Sequence, residues 1–152
     1  MFFRGSEFKE FEKQLSNPET YSIPDGYLYT KDHEWIKSIN GSYLVGITDY
    51  AVKMLNDIVY VNLPKEGDSL KQKEVFGQVE SVKTVSDLYM PVTGTVVKTN
   101  SKLAQAPELV TNFPYGDGWM LEIRTDNFGA ESHVLLDANA YRQFVSELNE
   151  ST

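Results

Sequence analysis

The chain has 152 residues, which suits one domain with a hydrophobic core of its own. It contains no cysteine and only two histidines, so disulfides, thiol catalysis and a metal centre built on cysteine or histidine are not expected. A net charge of -8 argues against nucleic-acid binding, and the apolar runs are too short to cross a membrane. The acidity either keeps the protein in solution or steers it toward basic partner surfaces, and composition leaves both open.

The first residues differ in pattern from the rest. Apolar residues at i, i+3 and i+7 predict a short amphipathic helix over Phe8–Leu15. The run Gly5 to Phe8 is also what two adjacent cloning sites encode. We therefore divide the chain into an N-terminal extension over residues 1–24, a cloning or targeting remnant, and one domain over residues 25–152.

A β-hairpin is predicted next. Tyr27–Thr30 and Glu34–Ile39 have the composition of strands, and Asn40-Gly41 is a strong signal for a two-residue turn. The alternation from Tyr43 to Ile47 supplies the returning strand. Thr48 or Asp49 then begins a short helix that runs to Leu55.

Ile58–Leu63 is a β-branched run that predicts a buried strand. Val75–Ser81 predicts a further strand, with Leu88–Tyr89 and Gly94–Lys98 as its returning neighbours. Lys83 falls at the apex of this hairpin. Gly77 and Gly94 bracket the segment, where we expect a bulge or a close backbone approach.

The last third of the chain predicts a helical turn within Leu103–Val110, a loop at Pro114–Gly118 and a strand over Trp119–Arg124. Asp137 begins a closing helix whose apolar residues share one face. That face contains Ala140, Tyr141, Phe144, Val145 and Leu148. The elements together predict a mainly β fold, a sandwich or flattened barrel with short peripheral helices and a C-terminal helix.

An exposed lysine at a hairpin tip is usually a solvated surface charge, so the position of Lys83 alone indicates no function. The surrounding residues change this reading, because the order of many blocks resembles the glycine cleavage system H protein family of lipoyl carriers. The blocks are Tyr29 to Trp35, Val45 to Ala51, Leu55 to Val59, Leu63-Pro64, Gly67-Asp68, Val79 to Thr84, Ser86 to Leu88, Pro91 to Gly94, Pro107 to Val110 and Pro114 to Trp119.

The resemblance implies a lipoyl/biotinyl-type β-sandwich and a covalent lipoate on Lys83. It implies no catalysis by the chain itself but transport of an aminomethyl group, loaded by a pyridoxal-phosphate glycine decarboxylase and removed by a tetrahydrofolate-dependent aminomethyltransferase. Dihydrolipoamide dehydrogenase and a lipoyl ligase or transferase complete the implied partners. We expect a monomer that binds neither nucleic acid nor membrane.

The resemblance also implies a pocket for the loaded arm, with Glu34, Ile47 and Asp87 at the matching positions. Glu34 or Asp87 would accept a hydrogen bond from the amine, and Ile47 would pack against the arm. The alternative is that both acids are ordinary solvated side chains. No metal site is expected.

Other functions remain open at this stage. A relative of these carriers could instead donate lipoyl groups to 2-oxoacid dehydrogenase complexes, since the same exposed Lys83 serves both tasks. An interaction domain that never carries lipoate is a third reading. The family works in the mitochondrial matrix of eukaryotes and in the cytoplasm of bacteria, and we lean toward the mitochondrion.

Overall fold

The computed structural model describes residues 21–148, so the helix predicted over Phe8–Leu15 lies outside the described residues. Two antiparallel sheets pack face to face. The strands are β1 (Leu28–Tyr29), β2 (Glu34–Ile39), β3 (Ser42–Ile47), β4 (Ile58–Asn62), β5 (Ser69–Leu70), β6 (Val75–Ser81), β7 (Val85–Tyr89), β8 (Gly94–Thr99) and β9 (Leu121–Arg124). The helices are α1 (Asp49–Leu55), α2 (Glu108–Asn112), α3 (Phe128–Glu131) and α4 (Ala138–Leu148), with 3-10 turns at Ser101–Ala104 and Ser132–Val134.

The larger sheet has six strands in the order β1-β2-β3-β9-β8-β5. The predicted hairpin is confirmed, because β2 and β3 pair from Glu34 opposite Ile47 to Ile39 opposite Ser42. Asn40 and Gly41 occupy the turn with φ values of 46° and 88°. Asparagine and glycine tolerate this left-handed conformation, which matches the twist of a two-residue hairpin.

The smaller sheet has the order β4-β6-β7, and here one predicted pairing was wrong. The strand after Tyr89 was expected to return beside Val75–Ser81, but β8 pairs with β5 and β9 in the larger sheet. Pro91 lies in the bend between β7 and β8. Because proline cannot donate to a ladder, the chain leaves the small sheet there and crosses to the other layer.

β4 is less buried than predicted. Ile58 and Val61 face the core, but Val59 is 52 % exposed and Tyr60 is 49 % exposed. The cause is a bulge, since Ile58 pairs with Ser81 and Tyr60 pairs with the next residue, Glu80, leaving Val59 as the extra residue. Two consecutive side chains therefore lie outside the core.

Helices α1, α2 and α4 follow the predictions with small corrections, and α3 was not predicted. Thr48 rather than Asp49 caps α1, because its side chain accepts a hydrogen bond from Ala51 N. The single helical turn expected around Pro107 is two separate turns, with Pro107 at the start of α2. Asp137 accepts a hydrogen bond from Ala140 N at the start of α4, as predicted, but Ala140 itself is exposed.

Two hydrophobic clusters hold the layers together. The first lies between the sheets and includes Val45 of the larger sheet and Val79 of the smaller one, both fully buried. The second is aromatic and joins Trp35 to α4, where Tyr141 stacks on Tyr29 with ring centroids 4.7 Å apart. The predicted β-sandwich is thus confirmed as two separate sheets. From residue 21 to residue 148, no helix is long and apolar enough to span a bilayer.

Candidate functional site

Lys83 is exposed at the tip of the β6–β7 hairpin, in a turn organised by Ser81. Ser81 Oγ accepts hydrogen bonds from the backbone N–H groups of Lys83 and Thr84, both at 3.2 Å. Ser81 N donates to Thr84 O at 2.8 Å and closes the turn. The hydroxyl thus pairs with backbone donors that would otherwise face solvent, which holds the turn in one conformation.

The tip is also tied to the neighbouring strand. Ser81 pairs with Ile58 of β4, and Val82 N donates to Asp57 O at 3.2 Å. Hydrogen bonds on both sides therefore fix the base of the turn. The Lys83 side chain projects from a rigid support, which is the geometry that a tethered group needs.

A cleft of about 460 Å³ opens near the far end of β7. Glu34 lies at its floor. Tyr89, the last residue of β7, and the following Met90 line one wall, and Val134 and Leu135 from a distant part of the chain close the cleft. Glu131, at the end of α3, anchors that last wall, because its two carboxylate oxygens accept hydrogen bonds from N and Oγ1 of Thr93 at 2.7 Å.

Glu34 is a buried carboxyl group, with 1 % of the residue exposed. Its Oε1 accepts a hydrogen bond from Thr30 Oγ1 at 2.6 Å, and its Oε2 accepts one from Tyr89 N at 3.3 Å. Burial raises the pKa of Glu34 to about 7, although the hydrogen bond from Thr30 opposes this. A proton acceptor with this pKa in a cleft suits recognition of a cationic amine at neutral or higher pH.

The three residues matched to an arm pocket lie in different surroundings. Glu34 lines the cleft, and Ile47 is its direct neighbour across the β2–β3 ladder but is 2 % exposed and belongs to the core. Asp87 is exposed on β7, where its Oδ1 accepts a hydrogen bond from Gln78 Nε2 at 3.4 Å. Asp87 lies between the tip and Tyr89, so it stands along the route from Lys83 to the cleft.

His33 packs on the side of β2 away from the cleft, against Tyr50 and Tyr141. Its Nδ1 is 2.8 Å from Tyr141 Oη, which is in turn 2.8 Å from Thr48 Oγ1. His33 therefore meets Tyr141 of α4, while the adjacent Glu34 enters the cleft. Burial lowers the pKa of His33 to about 4.

We expect these two neighbours to give opposite pH dependences of stability. Between pH 4.5 and 6.5 the native state keeps a proton on Glu34 that the unfolded chain releases, and lacks a proton on His33 that the unfolded chain binds. By linkage the contributions nearly cancel. In His33→Gln the free energy of unfolding should fall by about 1.4 kcal/mol per pH unit in this window, and in Glu34→Gln it should rise by about the same amount.

Urea unfolding at a series of pH values measures both slopes against the wild-type chain. The variant His133→Gln is the control for general histidine effects, because His133 is exposed. Parallel pH curves for the wild type and both buried variants would contradict the assigned burial effects.

A family model described as glycine cleavage H-protein matches residues 27–148. The chain belongs to this family. The H protein of Symbiobacterium thermophilum is 50 % identical over 126 residues, which are 83 % of this chain and 98 % of that protein. The H protein of Chlorobium limicola is 52 % identical over 128 residues, 83 % of this chain and 99 % of that protein.

The fold agrees with that of a solved H protein. The crystal structure of the glycine cleavage system H protein from Mycobacterium marinum matches with a TM-score of 0.73 and 38 % identity, over 80 % of this chain and 97 % of that one. The H-protein family comprises lipoyl-bearing carriers, components of the glycine cleavage system. The mitochondrial location that we favoured from the sequence finds no support, since these relatives come from bacteria.

Proposed function

We propose that this H-protein family member is a non-catalytic carrier that moves an aminomethyl group on a lipoyl arm attached to Lys83. The observation that carries the proposal is the exposed Lys83 amine on a turn held by Ser81, in a chain of this family. The proposed loading enzyme is the glycine decarboxylase and the proposed unloading enzyme is the aminomethyltransferase. A lipoyl ligase or transferase would attach the arm, and dihydrolipoamide dehydrogenase would reoxidise it.

The residues present fit a lipoyl group, which supplies a disulfide that can be reduced and carry cargo. Amide formation at Lys83 needs only access to the amine, and the chain contributes no thiol of its own. The five strand residues from Val85 to Tyr89 span about 13 Å, and Lys83 lies two residues before Val85, so the path from Lys83 to Tyr89 is at most about 20 Å. The roughly eleven bonds of an extended lipoyl-lysine reach about 14 Å from the Lys83 backbone, so an arm lying along β7 extends past most of the strand toward the cleft.

Glu34 is proposed to hold the cargo amine in that cleft. The carboxyl group is fixed by Thr30 and Tyr89 and is already removed from water, so it can accept a hydrogen bond from a cation without reorganising. Asp87 is proposed to guide the cation along β7, and Ile47 to support the cleft floor from the core side through its pairing with Glu34. Excluding water there would slow hydrolytic loss of the cargo.

The lifetime of the loaded carrier tests the role of Glu34. We expect Glu34→Gln to shorten the half-life of the aminomethylated protein by about tenfold at pH 7.5, corresponding to loss of one charge-assisted hydrogen bond. Timed intact-mass measurements after removal of the loading enzyme give the half-life. Glu66→Gln is the matched control, because Glu66 is exposed in the loop before β5. Equal half-lives for the two variants would remove Glu34 from the cargo site.

The overall proposal is tested by reconstitution. The chain is coexpressed with a lipoyl ligase, modification is located by peptide fragmentation, and the modified protein is mixed with the decarboxylase, aminomethyltransferase and dehydrogenase. We expect the lipoyl mass on Lys83 and glycine-dependent reduction of NAD. Modification at Lys83 without glycine turnover would favour the relay of lipoyl groups to 2-oxoacid dehydrogenase complexes, and an unmodified chain would favour an interaction domain.

A further inference from the structure

The outer face of the smaller sheet carries a polar row of side chains far from the tip. Asn62, Gln78 and Asp87 face one another across β4, β6 and β7. Asn62 Nδ2 donates to Gln78 Oε1 at 2.8 Å, and Gln78 Nε2 donates to Asp87 Oδ1 at 3.4 Å. This row forms its own hydrogen bonds on the sheet surface, so it needs no partner to satisfy it.

The next row, closer to Lys83, is different in character. Tyr60, Glu80 and Val85 face one another across the same three strands, and Tyr60 and Val85 are 49 % and 57 % exposed. The bulge adds Val59, and the turn adds Val82, which is 63 % exposed. We name these five residues the tip-side face. Clustered exposed apolar side chains on a carrier indicate an interaction surface.

The charged side chains on the strands of this face are all acidic. Strands β4, β6 and β7 contain two acidic residues, Glu80 and Asp87, and no lysine or arginine. Glu80 lies at the centre of the tip-side face, and Asp57 precedes β4 beside the turn. Lys83 is the one cation of the hairpin, and amide formation removes its charge. The complementary surface is an apolar hollow with lysine or arginine side chains at its rim.

The position of the face selects among the partners. The cleft begins at Tyr89, at the opposite end of β7 from the turn. A partner that removes cargo must first draw the arm out of the cleft, so it has to engage the cleft side. A partner that loads an empty arm needs only the turn and the surface around it. The tip-side face surrounds the base of the arm and leaves the cleft open to receive the cargo.

We propose that the tip-side face is the docking surface for the enzyme that loads the arm, and that this enzyme meets it with an apolar hollow rimmed by basic side chains. The inference rests on the proposed function, because it requires a carrier arm at Lys83. It assigns Tyr60 and Val85 as the central contacts, since they lie on either side of Glu80 in one row. A lysine at either position would bury a positive charge in the apolar hollow and bring it near the basic rim.

The experiment compares Tyr60→Lys and Val85→Lys with the control Val97→Lys. Val97 is 40 % exposed on β8 in the other sheet, so the same charge is added to a comparable surface away from the turn. Fully lipoylated proteins are selected by intact mass, and glycine decarboxylase activity is measured against carrier concentration. We expect KM to rise about tenfold for the two face variants with kcat unchanged, and no change for Val97→Lys.

Binding of the unmodified chains to the decarboxylase, measured by calorimetry, supplies a readout that does not need the arm. The same loss is expected there, and thermal unfolding checks that each variant is folded. Unchanged KM and affinity in both face variants would overturn the proposal. An equal rise in KM with the aminomethyltransferase would overturn the assignment to the loading enzyme. Failure of the wild-type chain to accept lipoate would instead refute the proposed function, so the two failures are distinguishable.

Discussion

Replacing Lys83 with arginine is expected to abolish lipoylation and to reduce glycine-dependent NAD reduction to background. Arginine keeps the positive charge and most of the length of the side chain, but its guanidinium stays protonated and does not offer the free amine that forms the amide. The turn should survive, because its hydrogen bonds run through Ser81 and the backbone. Intact mass after coexpression with a lipoyl ligase, followed by the reconstituted assay, measures both losses.

The matched control is Lys71→Arg, which changes an exposed lysine outside the hairpin in the same way. It should be modified as completely as the wild-type chain. A lipoyl mass retained in Lys83→Arg would show that another lysine carries the arm and would contradict the proposed site. Circular dichroism spectra of the two variants should be superimposable, which separates loss of the amine from loss of the fold.

Gly77→Ala is expected to cost the largest free energy of unfolding of any single methyl addition to the described sheets. A Cβ at this position would overlap the backbone carbonyl oxygen of Asn62 on β4, and backbone atoms cannot turn aside as a side chain can. The register between β6 and β7 shifts at this point, so Gly77 lies at a bulge where the strands approach closely. We expect a loss of about 3 kcal/mol or more, measured by urea unfolding.

Gly129→Ala provides the comparison for that measurement. Gly129 lies in α3 with no atom near the place of its missing Cβ, and helices favour alanine over glycine. We expect its stability to be unchanged or raised by up to about 1 kcal/mol. If Gly77→Ala were equally benign, β4 would have to lie farther from β6 than it does in this structure.

Local patterns were sufficient to predict the hairpins and most strand positions. Asn40-Gly41 determines its turn through backbone conformation alone, and the alternation of β3 follows from burial of one face. The partner of β8 could not be predicted in this way. A strand after Pro91 can return to either layer, and the choice depends on contacts with β9, which lies far along the chain.

The local sequence pattern also could not predict which residues are buried at the site. The motif around Lys83 identified the tip, but the cleft is closed by Val134 and Leu135, which no feature near Glu34 points to. The same holds for His33, whose pKa is lowered by burial in contacts that include Tyr141 of the distant α4. The exposure of Val59 and Tyr60 arises from one extra residue in a ladder, and sequence periodicity does not reveal such an insertion.

The stability of the turn at Ser81 does not depend on the Lys83 amine that is proposed to be modified. Every hydrogen bond that shapes the turn involves the Ser81 hydroxyl or the backbone, and none uses the ammonium group of Lys83. Neutralising that ammonium group should therefore leave the melting temperature nearly unaltered. The enzyme that attaches the lipoyl group and the enzymes that use it would then bind the same rigid surface. The chain would not need to change conformation between modification and carrier function.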